Sequence, residues 1–108
     1  MIKNSTLYRI NFINHNQVYE IYAQSINTDQ LLGFMSIKQL QFDIKESLVV
    51  IDPVEEKMKA EFSDVEVLHI PLQHVLKVEE VKAKKSCKIK PLKNHTNITP
   101  LRNQPESN

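Results

Sequence analysis

His69 and His74 stand five residues apart in the stretch His-Ile-Pro-Leu-Gln-His-Val-Leu-Lys-Val-Glu-Glu-Val, with Pro71 between them and the Glu79–Glu80 pair close behind. Histidines and carboxylates are the groups that hold zinc or move protons, so this stretch is the first candidate for chemistry. A zinc site needs several such ligands converging at about 2 Å. On an unbroken strand an odd separation sends His69 and His74 to opposite faces, and adjacent Glu79 and Glu80 diverge in the same way. The chain contains no HxH, HExxH or CxxC spacing. Pro71 has a plainer use, marking a bend or an edge where no ladder N–H is required. His74 then reads as an edge or partly buried residue hydrogen-bonded to backbone. An enzyme using His74 with a carboxylate is kept as one alternative.

Other reactive groups have similar structural readings. Asp52 precedes Pro53 and stands three residues before Glu55, the pattern of a helix N-cap rather than a catalytic acid. His15 falls in a polar loop. The single glycine, Gly33, excludes a glycine-rich phosphate loop. Cys87 lies among lysines in Lys-Lys-Ser-Cys-Lys-Ile-Lys, and positive neighbours lower a thiol's pKa. A reactive thiol is one reading; an exposed cysteine in a flexible tail is the preferred one. Lys82, Lys84, Lys85, Lys88, Lys90 and Lys93 could neutralise phosphates. No aromatic residue follows Val81 to stack bases, and Tyr8, Phe12, Tyr19 and Tyr22 are assigned to packing.

These residues must be positioned by short elements. Leu7 to Ile13 alternates apolar and polar residues, the period of a half-buried strand. Asn14 to Gln17 forms a polar break, and Val18 to Ala23 resumes the strand, giving a hairpin. Asn27, Thr28 and Asp29 could cap a helical turn through Leu31 and Leu32, ended by Gly33. Phe34 to Phe42 reads as a bulged third strand, and Ser47 to Asp52 as a buried fourth. Residues 53–62 form a helix with Val54, Met58 and Phe62 on one stripe, and with Glu55–Lys59 and Lys57–Glu61 pairs on the exposed side. Val65 to Ile70 and His74 to Val81 complete the strands. Tyr8, Ile10, Phe12, Ile21, Val50, Met58, Phe62, Ile70, Leu76 and Val78 are the expected core.

At 108 residues the chain is one small domain. Residues 1–81 hold seven basic and twelve acidic side chains, whereas residues 82–108 hold seven and one. The expected organisation is a β-rich domain over 1–81 and a basic, disordered tail over 82–108, with order lost from about Lys84. The fold class is α+β: a small curved antiparallel sheet or open β-barrel of five to six short strands, with one helix near residues 53–62. A flat sheet with the helix on one side is the alternative. One cysteine excludes an internal disulfide framework. The opening residues lack the apolar core of a signal peptide, and no apolar run is long enough for a membrane helix, so a cytoplasmic setting is expected. The triplets at Asn4, Asn94 and Asn97 match the glycosylation pattern but have no export signal beside them.

The segments Tyr-Arg-Ile-Asn-Phe, Val-Tyr-Glu-Ile-Tyr-Ala, Gly-Phe-Met-Ser-Ile, Asp-Pro-Val-Glu-Glu-Lys-Met-Lys-Ala-Glu-Phe and Ile-Pro-Leu-Gln-His-Val-Leu-Lys-Val-Glu-Glu-Val occur in this order between Leu7 and Val81. Together they resemble the proteobacterial family called domain of unknown function 1820. The resemblance implies a small cytoplasmic bacterial protein without an assigned activity. It also implies a histidine directly after the Ile-Pro-apolar triplet, where this chain has Gln73 and places its histidine one position later. The resulting expectation is a non-enzymatic binding or adaptor module with a protein partner, no cofactor, no metal and no membrane association. An RNA-binding accessory protein, using a small barrel and the lysine-rich tail, is the other alternative.

Overall fold

The computed structural model describes residues 6–42 and 52–92. The expected strand over Ser47–Asp52 lies outside them except for Asp52, as do the core candidate Val50 and the tail from Lys93 onward.

β1 (Leu7–Asn14) and β2 (Gln17–Asn27) form the expected hairpin. His15 and Asn16 link them with φ of 53° and 62°. Two positive values identify the type I′ turn whose twist suits a hairpin, and asparagine accepts that geometry well. The register sets Ile10 against Ile21 and Phe12 against Tyr19, so the alternating apolar residues share one face. β2 continues to Asn27, and the expected helical turn is absent from the residues that follow. Instead Asn27 accepts a hydrogen bond from the Asp29 N–H, and Gly33 at φ 82° turns the chain into β3 (Phe34–Leu40). Both Asn and Asp favour such local bonds over helix continuation. Gln39 in β3 has a φ of 58°, the irregularity anticipated in this strand.

α1 (Pro53–Glu61) begins as the sequence directs. Asp52 Oδ1 accepts from Val54 N–H at 3.0 Å and from Glu55 N–H at 3.4 Å. Met58 and Phe62 are buried and Val54 packs beside them, reproducing the expected stripe. Four rings carry the helix end onto the sheet: Phe12 meets Tyr19 at 5.7 Å, Tyr19 meets Phe62 edge-on at 6.3 Å, and Phe62 stacks on Phe42 at 6.2 Å. Helices this short draw their stability from such packing.

β4 (Val67–Pro71) pairs with β3, and a single 3-10 turn over Leu72–His74 leads into β5 (Val75–Val81), which pairs with β1. The bend at Pro71 is therefore real. The sheet is antiparallel and open, in the order β4-β3-β2-β1-β5, and does not close into a barrel. A bulge in β5 opposite Phe12 leaves Leu76 45% exposed, which removes it from the expected core. Tyr8 and Val78 pack at the core's margin.

The largest correction concerns the basic segment. Order does not end at Lys84. Residues 88–91 form β6 (Lys88–Pro91), which pairs with Gln17–Glu20 of β2. β6 and β3 thus lie end to end along the same side of β2, with β1 on the other side. Ile89 opposes Tyr19 and joins the core, and Cys87 is buried at 1% exposure. One apolar residue between two lysines suffices because the strand completes an existing edge and needs no hydrophobic run of its own.

Candidate functional site

Three arrangements bring chemically active groups together. The first lies where the helix meets the segment leading into β6. Glu55, expected on the exposed helix face with Lys59, is instead 2% exposed. Its carboxylate forms an ion pair with Lys84 Nζ and accepts from the Cys87 backbone N–H at 3.2 Å. Lys84 Nζ also donates to the Lys85 carbonyl at 3.0 Å and stands 5.4 Å from the centre of the Tyr22 ring. Buried charges persist where they are paired and hydrogen-bonded, as here. Cys87 Sγ lies 3.7 Å from Glu55 Oε2. Burial, reinforced by the Glu55 charge and only partly offset by Lys84, pushes the thiol up to about 12. Cys87 is therefore a protonated core residue at neutral pH. This overturns both the lysine-activated thiol and the exposed thiol expected from the sequence: the thiol is buried, and Lys84, the lysine acting on it, is paired with a carboxylate 29 residues earlier.

The second arrangement is a serine–histidine contact that residue spacing did not reveal. Ser36 Oγ lies 2.8 Å from His69 Nδ1, across directly opposed positions of β3 and β4. Such a pair could serve as nucleophile and base. Ser36 is fully buried, however, so the contact works as a cross-strand tie. His74 is exposed at the end of the 3-10 turn, away from the backbone contact expected for it. Asp52 is occupied by helix capping. A hollow of about 460 Å³ beside the Phe42–Phe62 stack has Lys59 and Glu66 in its lining but neither His69 nor His74. Among the described residues, no three His, Cys, Asp or Glu side chains are grouped to hold a metal ion.

The third is the surface charge. Arg9 Nε donates to Glu79 at 2.7 Å, with Lys77 a further 3.7 Å from the same carboxylate. The Arg9 hydrogen bond holds Glu79 below the usual carboxylate range, and Glu79 in turn raises Arg9. On the hairpin, Tyr19 donates to Glu61 at 3.2 Å, and burial with that carboxylate nearby raises its phenol. Of the six candidate lysines, Lys82, Lys85, Lys88 and Lys90 are exposed. Lys84 is committed to Glu55, and Lys93 lies outside the described residues. Lys88 and Lys90 share a face of β6, opposite Glu20 and Val18. No helix among the described residues is long and apolar enough to cross a membrane.

The model of a family described as a domain of unknown function (DUF1820) matches residues 6–103. The chain belongs to the DUF1820 family. The match begins at the edge of β1 and continues past β6, so in this DUF1820 chain the family unit includes the segment that the sequence reading had assigned to a tail. No curated protein and no solved structure matches it.

Proposed function

We propose that this DUF1820 domain is a non-enzymatic binding module that docks a protein partner through the leucines at one end of its sheet. The observation carrying this reading is the exposure of Leu32, 95% open to solvent on the β2–β3 connection. Leu31 and Leu72 are also exposed, and the Leu72 N–H bonds to the Gly33 carbonyl at 3.0 Å, which ties the two connections together. Loops positioned by a rigid sheet commonly carry binding residues, and clustered exposed apolar groups mark contact surfaces. The connection from Asn27 to Phe34 carries one charge, that of Asp29. An acidic, otherwise neutral tip repels phosphate and suits a protein with an apolar recess. Burying one leucine contributes about 1.5–3 kcal/mol, so Leu32→Asp should weaken binding by at least tenfold. The test is affinity purification from the native host with wild-type and Leu32→Asp baits of equal thermal stability. Partners retained by the wild type and lost by the variant support the reading; identical sets from both baits reject it.

A second reading, RNA binding, is favoured by Lys88 and Lys90, which the sheet holds side by side. If both contact single-stranded RNA phosphates, replacing them with alanine should reduce the log–log salt slope by about 1.4. Full-length protein that binds no RNA at low salt would eliminate it.

A further inference from the structure

We propose that β5 is a self-pairing edge through which two copies of this chain join into one continuous sheet. β5 ends the strand order, and among the described residues its outer side has no strand partner. The hairpin determines which of its backbone groups are free. In a two-residue turn the closing pair, here Asn14 and Gln17, exchanges both backbone hydrogen bonds. Alternation then directs the N–H and C=O of Phe12, Ile10 and Tyr8 towards β2, and those of Asn11, Arg9 and Leu7 towards β5. Their partners Lys77, Glu79 and Val81 use their own groups inward. Val78 and Glu80 consequently direct theirs outward.

An antiparallel copy centred on Val78 pairs the outward groups of Val78 with those of its own counterpart and sets Glu80 opposite Leu76 of the second copy, at the bulge. It also sets Lys77 opposite Glu79 of the second copy and Glu79 opposite its Lys77. The two charge pairs fall at the non-hydrogen-bonded positions, where Cα atoms approach to about 4.5 Å and side chains are closest. Centring the pair on Lys77 or Glu79 would instead set like charges face to face, which opposes pairing. The strand is thus self-complementary in one register, and both side chains are partly exposed on the single chain. This inference does not rest on the leucine tip.

Sedimentation velocity over a concentration series, at low and high salt, tests it. Wild type should dimerise, more weakly at high salt. Lys77→Glu and Glu79→Lys should each weaken self-association by about tenfold or more, and an equimolar mixture of the two should recover it, because opposite charges then meet again. Glu80→Pro removes an outward N–H that no strand among the described residues uses, so it should retain the native circular dichroism and lose the dimer. Wild type that stays monomeric up to near-millimolar concentration overturns the proposal. A dimer unaffected by Glu80→Pro places the interface elsewhere, and variants that fail to recover on mixing overturn the register.

Discussion

Individual side chains show how one functional group, the carboxylate, serves unrelated ends in this protein. Asp52 accepts from two backbone N–H groups at the helix start, an arrangement that Asp-Pro-Val-Glu makes readable directly. Asp52→Ala should destabilise the fold by about 1 kcal/mol in urea titration. Glu79 is governed by its ion pair with Arg9, which the sequence does not disclose because 70 residues separate the partners. The folded state depresses the Glu79 pKa, so the pair's contribution is present above the ordinary glutamate value of 4.5 and is lost as pH falls through the lower folded value. The stability gap between wild type and Glu79→Gln should therefore be constant near neutrality and close in acid. A gap that widens on acidification would contradict this assignment.

Among the elements, the hairpin and the helix were legible because each carries its own signal. Alternation over Leu7–Ala23 and the Asn-His-Asn-Gln break are local, as are the helix cap and the Val54–Met58–Phe62 stripe. β6 carries no comparable signal: Lys-Ile-Lys-Pro has one apolar side chain, and its partner strand lies some 70 residues earlier. The burial of Glu55 was hidden for the same reason, since a glutamate four residues before a lysine on a helix ordinarily reads as a surface pair. The Ser36–His69 contact needed the β3–β4 register, which no spacing encodes. The Glu55–Lys84 ion pair joins the helix to the segment leading into β6. Lys84→Met should cost about 3 kcal/mol, near the lower end for breaking a buried pair. Glu55→Gln in the same background should add less than its own separate cost. Alkylation of Cys87 provides a second readout, expected to quicken in Lys84→Met while remaining slow in wild type.

For the whole molecule, the correction at the C-terminal side changes what counts as the folding unit. A chain ending at Val81 would lose Lys84, Cys87 and the strand on the Gln17–Glu20 edge. It should unfold in urea at a lower midpoint and with a broader transition than the full chain. An identical midpoint and cooperativity would show that β6 contributes nothing to the core. The charge asymmetry also acquires a structural meaning, since part of the basic segment neutralises a carboxylate inside the acidic body rather than trailing from it.

The end-to-end placement of β3 and β6 along β2 also has a consequence for biosynthesis. β2 is translated early, yet the Gln17–Glu20 part of one of its edges stays open until Lys88–Pro91 have emerged from the ribosome. At about 5–20 residues per second, that interval is roughly 3–14 s. Throughout it, the nascent chain presents Val18 and Tyr19 on a strand paired with β1 alone, its other side an open edge of the kind that recruits other strands. Slowing translation between the codons for β2 and β6 should therefore lower the soluble yield, whereas slowing it after Pro91 should not.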